Sequence, residues 1–241
     1  MLLPDQRAAV ARACRELLAS GLLRGTSGNI SVRDPTSGAI AVTPTGVPYP
    51  GLRDVDVPVL AADGRQLAGD LQPTSEVALH LGIYRARSDV GAIVHTHSMF
   101  ATTFAVLGEQ IPPVHYLIAR AGEAVSVAPY ARYGTAELAD ACVRTLGASS
   151  AVLLANHGVV AVGADLNAAM AVAEAVEFTA ELAWRARQLG VPRLLDADQL
   201  ADARTAFAGY GQPATRLAPG SSAGDSQPAP GSSAGEERRQ Q

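Results

Sequence analysis

Two histidines one residue apart are the first candidates for chemistry in this sequence. His95 and His97 lie in the apolar run VGAIVHTHSMFATTFAV, which contains a candidate buried strand at 91–98. Because side chains alternate between the two faces of a strand, both imidazoles would point the same way from Cα atoms roughly 6.5–7 Å apart. That spacing lets two rings bind one metal ion. Two such histidines are equally compatible with hydrogen-bonded core residues.

A third histidine favours the metal-binding interpretation. His157 lies in a second buried-strand candidate, AVLLANHGVVAVG at 151–163, and we expect Gly158 to allow a sharp turn that aims the imidazole sideways. Three histidines at strand ends would give three protein ligands and one open position, the arrangement of a reactive rather than a structural zinc ion. The alternative for His157 is an ordinary turn residue.

Glu76 is the candidate carboxylate, and its position has two interpretations. In QPTSEVALH it falls in the first turn of a predicted helix, where the helix dipole favours a negative charge. The other interpretation is a base or a metal ligand beside the histidines, and nothing in the local sequence decides between the two. His80, four residues further on the same helix face, is expected to be a core or supporting histidine rather than a ligand.

Three segments rich in glycine and hydroxyl groups could bind an anion. They are GTSGN at 25–29, TPTG at 43–46, and the pair Thr74 and Ser75 at the helix start. Hydroxyl groups and backbone N–H groups at turns and helix N-termini are donors for phosphate. Each segment alone is typical of an ordinary turn. Three of them beside a possible metal site predict a small phosphorylated ligand.

The composition excludes several classes of function. All 19 basic residues are arginine, so mechanisms that need a Schiff-base lysine, a pyridoxal phosphate lysine or a Walker-type lysine are excluded. The formal net charge of −4 gives no reason to expect a nucleic-acid or anionic-membrane partner. We expect no secretory signal and no membrane-spanning run. Cys14 and Cys142 fit core residues of a cytoplasmic protein.

The remaining patterns predict one domain in which helices cover a sheet. A catalytic domain is expected over 1–211, followed by a disordered tail over 212–241 that repeats PGSSAG and has almost no large apolar residues. A loop is expected between the strand at 91–98 and the helix at 135–147. The other predicted helices are 4–21, 73–87, 167–190 and 197–211, and the other predicted strands are 29–34, 38–44 and a hairpin within 57–70.

Several motifs together resemble the class II aldolase/adducin family. In the order and spacing of that family the sequence contains GTSGNISVR, VTPTGVPY, PTSE, IVHTHS, IPPVHYLIARAG, APYARYGTAEL and NHGVVAVG. The fifth and sixth motifs resemble the aldolase branch, and most of all the aldolases that act on L-fuculose 1-phosphate. The likeness extends from the first helix to FAGYG at 207–211. It implies a three-layer α/β/α domain with a largely antiparallel central sheet.

The resemblance also implies a metal site and a phosphate site. A zinc ion, one per subunit, would be held by His95, His97 and His157. Glu76 would be a fourth ligand in the absence of substrate and the acid/base group during the reaction. The residues that match the family's phosphate-binding positions are Asn29, Thr45, Gly46, Thr74 and Ser75.

An activity and an assembly follow from the same resemblance. The expected reaction is the reversible cleavage of a ketose 1-phosphate, L-fuculose 1-phosphate or a similar compound, to dihydroxyacetone phosphate and an aldehyde such as lactaldehyde. Without a lysine to form an iminium, a Lewis acid must stabilise the resulting enediolate. Tyr116 would handle the aldehyde-side proton, and Tyr210 would be a second active-site tyrosine. The implied assembly is a C4 homotetramer with active sites between subunits.

Three alternatives remain open from the sequence. A pentulose-phosphate 4-epimerase would use the same metal but keep the aldehyde bound, and a sugar-phosphate dehydratase would use the metal to eliminate water. An adducin-like interaction module without enzymatic activity is the third. Such a module need not retain metal ligands, so the presence of all three histidines and Glu76 argues against it.

Two truncations test the role of the C-terminal residues. Deletion from Pro213 onward should leave folding and turnover nearly unchanged, because the residues removed have almost no apolar side chains to anchor them. Deletion from Gly209, which also removes Tyr210, should lower turnover or stereoselectivity in the same assay. Identical behaviour of the two truncated proteins would remove Tyr210 from the site.

Overall fold

The computed structural model describes residues 1–209 of the chain, and a mixed sheet of eight strands runs through them. The strands are β1 (Asn29–Arg33), β2 (Ile40–Val42), β3 (Val59–Leu60), β4 (Gln66–Ala68), β5 (Ala92–Thr96), β6 (Val127–Ala128), β7 (Ala151–Leu154) and β8 (Gly158–Gly163). Their order in the sheet is β4-β3-β2-β1-β5-β8-β7-β6. Every neighbouring pair is antiparallel except β6 and β7, which are parallel. The expectation of a largely antiparallel sheet is confirmed.

Six α-helices among the described residues cover both faces of the sheet. They are α1 (Pro4–Ala19), α2 (Val77–Ala86), α3 (Met99–Leu107), α4 (Ala136–Leu146), α5 (Leu166–Leu189) and α6 (Ala197–Ala208). One apolar core joins α1, α3 and α5 to one face, and a second core joins α2 and α4 to the other. This arrangement confirms the three-layer α/β/α fold. None of these helices is long and apolar enough to cross a membrane.

Burial on both faces explains the apolar sequence of the central strands. Nearly every residue of β5, β7 and β8 is buried, which favours continuous runs of Val, Ile, Leu and Ala over alternation. The segment 151–163, expected to be one strand, is a hairpin of β7 and β8 with its turn at residues 155–157. The apolar pattern did not divide the segment into two strands because only Asn156 and His157 interrupt it, and the turn was expected from Gly158 alone.

Helix α3 begins directly after the histidine-bearing strand, where the sequence was expected to form a loop. A carboxylate from α5 caps its start: the two side-chain oxygens of Glu177 accept hydrogen bonds from the backbone N–H groups of Phe100 and Ala101, each at 2.8 Å. The first N–H groups of a helix have no partner within the helix, so this contact stabilises α3. Because the capping residue is distant in sequence, no local pattern signals it.

The boundary predicted between a catalytic domain at 1–211 and a tail at 212–241 lies outside the described residues. One compact unit covers Met1–Ala208, which includes every helix and strand named above. The extent of the tail therefore stays a prediction.

Candidate active site

The central strands β1, β5 and β8 bring Asn29 and the three candidate histidines together at one end of these strands. β1 begins at Asn29, and its antiparallel partner β5 places His95 directly opposite. His97 follows the end of β5. β8 pairs with the other side of β5, and the turn that precedes β8 carries His157. The register of three strands therefore collects histidines from two distant parts of the sequence.

The three imidazoles form a cluster that could hold a metal ion. One nitrogen from each ring of His95, His97 and His157 lies within 4.8 Å of the other two. The Nε2 atoms of His95 and His97 are 3.1 Å apart. Ligands at the corners of a tetrahedron, with Zn–N bonds of about 2.0–2.1 Å, stand about 3.3 Å from one another. The separation of His95 and His97 is therefore close to that of two ligands of a tetrahedral zinc ion.

Gly158 is required by the close packing of these rings and not by its backbone angles. A Cβ atom on Gly158 would stand 2.9 Å from the ring of His97 and would collide with the backbone carbonyl of Thr96. The left-handed φ angle in the turn belongs to Asn156, at 55°, and asparagine adopts this conformation more readily than most residues. The sharp turn expected at Gly158 is therefore made by Asn156, while Gly158 makes room for the histidines.

The Glu76 side chain faces the histidines and does not cap its helix. Glu76 occupies the N-cap position of α2 but accepts no capping hydrogen bond. Its Oε2 atom lies 3.2 Å from Nε2 of His95 and accepts a hydrogen bond from Nδ2 of Asn29 at 2.8 Å. Its Oε1 atom lies 3.5 Å from Nε2 of His157 and, although buried, has no hydrogen-bond partner among the described residues.

The hydrogen bonds around the cluster leave lone pairs facing one another. Nδ1 of His95 lies 2.9 Å from the carbonyl oxygen of Val159, which can only accept, so Nδ1 carries the proton of the neutral ring. Nε2 of His95 then turns a lone pair toward the Glu76 carboxylate. Two buried acceptors in contact are unfavourable unless a proton or a cation lies between them. The residues therefore fit a divalent cation, which would also give Oε1 of Glu76 the partner it lacks.

Burial and mutual proximity set the charge states of the cluster. Burial, together with the neighbouring His95, lowers the pKa of His97 and that of His157 to about 4. Burial alone would raise the pKa of Glu76 and lower that of His95, but their mutual attraction outweighs it. The pKa of the carboxyl is consequently lowered and that of the His95 imidazole is raised. Neutral His97 and His157 and an ionised Glu76 are the states that bind metal at neutral pH.

A polar cavity of about 300 Å³ opens beside the cluster. Two of its loops lie side by side because Pro44 and Pro73 form an isolated β-bridge. The backbone N–H groups of Thr45 and Thr74 donate hydrogen bonds to carbonyl groups of the opposite loop. The position of Thr74 at a helix start suggested that its N–H could bind a ligand, but this hydrogen bond already occupies it. The cavity brings together all five residues expected to bind phosphate, which are Asn29, Thr45, Gly46, Thr74 and Ser75.

The described lining of this cavity is neutral apart from Glu76 and the histidines. It contains hydroxyl groups, glycines and an amide, and no arginine. An anion in the cavity would therefore be held by neutral donors and by any cation at the histidine cluster. The hydroxyl oxygen of Thr74 accepts from the backbone N–H of Glu76 at 3.3 Å, so its own proton remains for another acceptor.

Tyr133 also lines the cavity, although the sequence analysis did not single it out. It lies in the quoted segment APYARYGTAEL, directly before Gly134. Gly134 has a φ angle of +76°, and a Cβ on it would stand 2.8 Å from the carbonyl oxygen of Ser75. The glycine therefore lets this loop pack against the cavity wall. The sequence signal that could have identified Tyr133 is an aromatic residue directly before a glycine in this segment.

Tyr116, one of the two tyrosines expected in the site, is not brought to the cavity of its own chain. Tyr116 begins a 3₁₀ turn at Tyr116–Arg120 and does not line the cavity. Its side chain is half exposed, with its ring centroid 4.5 Å from that of His115 and 5.9 Å from that of Phe207. Tyr210 lies outside the described residues.

Comparisons with known proteins agree with the motifs. The family model for the class II aldolase and adducin N-terminal domain matches residues 8–184, a stretch that contains the histidine cluster and the cavity loops. The 5-deoxy-D-ribulose 1-phosphate aldolase of Bacillus thuringiensis serovar kurstaki is 42% identical over 212 residues, which cover 88% of this chain and 100% of the relative. The 5-methylthioribulose-1-phosphate/5-deoxyribulose-1-phosphate aldolase of Rhodospirillum rubrum is 38% identical over 208 residues, which cover 86% and 93%.

A solved structure supports the same assignment. An L-fuculose 1-phosphate aldolase superposes with a TM-score of 0.82 and 36% identity, covering 85% of this chain and 96% of that chain. The chain therefore belongs to the class II aldolase/adducin family, as its motifs predicted.

Proposed function

We propose that the protein is a metal-dependent aldolase that reversibly cleaves a ketose 1-phosphate to dihydroxyacetone phosphate and an aldehyde. The carrying observation is that three imidazoles and a carboxylate converge on one point beside a cavity lined with hydroxyl groups. Such a site can polarise a carbonyl group and hold a phosphate at the same time. The names of the relatives support this choice, since each is an aldolase of a ketose 1-phosphate. We also propose that the enzyme works in the cytoplasm.

The substrate is proposed to be a deoxyketose 1-phosphate. Cleavage between C3 and C4 yields dihydroxyacetone phosphate from any such compound that carries hydroxyl groups at C3 and C4, and the remaining carbons leave as the aldehyde. 5-Deoxyribulose 1-phosphate would give acetaldehyde, and L-fuculose 1-phosphate would give lactaldehyde. The relative matched over its whole length, at 42% identity, favours 5-deoxyribulose 1-phosphate as the better substrate, with L-fuculose 1-phosphate as the alternative.

The metal is proposed to be Zn²⁺, held by His95, His97 and His157, with Glu76 as a fourth ligand when substrate is absent. When bound, the ion would supply a Lewis acid for the negative charge that develops as the carbon–carbon bond breaks. The chain contains no lysine, so an iminium cannot take that charge. The bond from His95 to the carbonyl of Val159 fixes the ring orientation and its tautomer.

Glu76 is proposed to transfer the proton at C3 of the dihydroxyacetone phosphate half. In cleavage the carboxyl group would deliver a proton to the carbon that has lost the aldehyde, and in synthesis it would remove that proton. Asn29 holds Oε2, whereas Oε1 has no hydrogen bond and can accept a proton. Because the carboxylate is buried, bulk water does not compete for it.

The phosphate group is proposed to bind at Asn29, Thr45, Gly46, Thr74 and Ser75. The hydroxyl protons of the threonines and the serine can point into the cavity, and Gly46, with a φ angle of +67°, lets the backbone approach closely. Asn29 uses one amide hydrogen toward Glu76 and retains the other for the ligand. This handle would fix the reacting carbons relative to Glu76.

Tyr116 is proposed to handle the proton of the aldehyde oxygen in the site of a neighbouring subunit. Its half-exposed ring lies outside the cavity of its own chain. That position is compatible with a C4 homotetramer in which active sites form between subunits. Tyr210 is proposed to reach the same site.

Metal analysis tests the ligand assignment. The purified protein should contain about one zinc ion per chain, measured by inductively coupled plasma mass spectrometry. Removal of the ion by a chelator should abolish turnover, and His95→Ala should lose both metal and activity. His115→Ala, which removes a histidine outside the cluster, should keep its metal. A metal-free sample with full activity would contradict the assignment.

A substrate panel tests the reaction. Release of dihydroxyacetone phosphate should be detected from 5-deoxyribulose 1-phosphate and, with lower kcat/KM, from L-fuculose 1-phosphate, in a coupled reduction assay. The reversed order of kcat/KM would make L-fuculose 1-phosphate the substrate. Epimerisation of a pentulose phosphate without aldehyde release, or loss of water from a sugar phosphate, would instead assign the epimerase or the dehydratase reaction.

Substitution of the carboxylate tests the proton transfer. Glu76→Gln keeps the shape of the side chain but cannot exchange a proton, so turnover should fall on the order of 10²–10⁴-fold. The three histidines should retain zinc. Wild-type protein incubated with dihydroxyacetone phosphate in D₂O should exchange one C3 proton stereospecifically, as seen by ¹H NMR, and the variant should not. Near-normal exchange in Glu76→Gln would move the role to another residue.

A further inference from the structure

A chain of buried hydrogen bonds leads from the Glu76 carboxylate into the protein, away from the cavity. Glu76, His80 and Tyr84 recur every four residues along α2, and Asn29 and Ser31 lie on one face of β1. All five side chains are buried. The bonds are Asn29 Nδ2 to Glu76 Oε2 at 2.8 Å, His80 Nε2 to Asn29 Oδ1 at 2.5 Å, His80 Nδ1 to Ser31 Oγ at 2.6 Å, and Ser31 Oγ to the Tyr84 hydroxyl at 2.9 Å.

The direction of each bond follows from the carboxylate. An ionised carboxylate only accepts, so the amide of Asn29 must turn its NH₂ group toward Glu76 and its oxygen toward His80. His80 must then donate from Nε2. Burial lowers the pKa of His80 to about 3, so the ring is neutral and carries that proton only. Its Nδ1 atom accepts from the hydroxyl of Ser31, which in turn accepts from Tyr84.

The orientation of the Asn29 amide depends on His80. The two orientations of an amide have nearly the same shape, so packing alone does not select one. A flipped amide would bring its oxygen against Oε2 of Glu76 and its NH₂ group against the N–H of His80, so the carboxylate and the His80 donor together select the observed orientation. A proton relay along the chain is excluded in chemical terms, since the Asn29 amide cannot pass a proton at neutral pH.

We propose that His80 is a positioning residue that locks the amide of Asn29 and, through it, the Glu76 carboxylate. Neither His80 nor Ser31 lines the cavity, so both act at a distance from the substrate. With Oε2 held by Asn29, Oε1 is the oxygen that stays available to the reaction. The inference rests on the proposed role of Glu76 as the proton-transfer group.

Two substitutions of similar size separate the donor function of His80 from its packing. His80→Gln can place an N–H donor near the position of Nε2, whereas His80→Asn reaches only as far as Nδ1 and leaves Asn29 without its donor. We expect kcat to fall about 10–100-fold in His80→Asn, with KM changed less than about threefold, and to stay within about threefold of wild type in His80→Gln. Ile83→Val, a buried change in the same helix, controls for destabilisation of α2 and should behave as wild type.

A spectroscopic measurement decides the point without relying on turnover. In ¹⁵N NMR of protein labelled at the histidine rings, the His80 signals, identified by their loss in His80→Gln, should show the Nε2–H tautomer at neutral pH. The side-chain N–H of Asn29 that donates to Glu76 should be protected from solvent exchange in wild type and His80→Gln but not in His80→Asn. The Nδ1–H tautomer, a charged ring, or equal protection in all three proteins would overturn the proposal.

The outcomes also separate this proposal from the aldolase assignment. If wild type lacks aldolase activity, the proposed function fails, and the Asn29 protection still decides whether His80 locks the amide. If wild type is active and the two His80 variants lose turnover equally, the positioning role is overturned while the aldolase assignment stands. If kcat falls only in the variant whose Asn29 amide loses its protection, the result supports both the aldolase activity and the positioning role of His80.

Discussion

A buried carboxylate that faces three imidazoles is the constraint on which the rest of the site depends. Taking an ionised carboxylate out of water costs several kcal/mol even after relaxation, so Glu76 can stay ionised and buried only if nearby donors and positive charge compensate. The Asn29 amide supplies one hydrogen bond, whereas Nε2 of His95, 3.2 Å from the carboxylate, stabilises it only with a proton or a cation between them. One oxygen of Glu76 still has no partner among the described residues. A divalent cation among the histidines would supply the positive charge that compensates the buried carboxylate.

The carboxylate and the imidazoles must be held rigidly in these positions, and several elements of the fold hold them. β5 lies between β1 and β8 with both faces covered by helices, so the backbone that carries His95 cannot shift without opening the core. Gly158 lets the hairpin of β7 and β8 approach the rings closely. Glu177 fixes the start of α3, two residues after His97. The hydrogen bonds through His80 tie α2 to β1 at the carboxylate.

The sequence indicated which residues lie together at the site better than it indicated the structure that supports them. The three histidines and the cavity residues carry local signals, such as alternation on a strand or glycine beside hydroxyl groups, and the family and the α/β/α fold predicted from the motifs are confirmed. The four-residue spacing of Glu76 and His80 could be recognised in the sequence, but the hydrogen bond between His80 and Asn29 could not. Contacts such as Glu177 with α3, or the Gly134 loop that brings Tyr133 to the cavity, join residues far apart in sequence. Local patterns contain no information on which distant residues meet.

X-ray absorption spectroscopy of the zinc-loaded protein tests most directly whether these four side chains share one cation. The geometry predicts a four-coordinate ion with about three imidazole nitrogens at about 2.0–2.1 Å, visible through multiple scattering from the rings, and one carboxylate oxygen in the absence of substrate. In Glu76→Gln the three imidazole contributions should persist while the carboxylate contribution is replaced. A sulfur-containing shell, or an oxygen shell without imidazole scattering, would contradict the account.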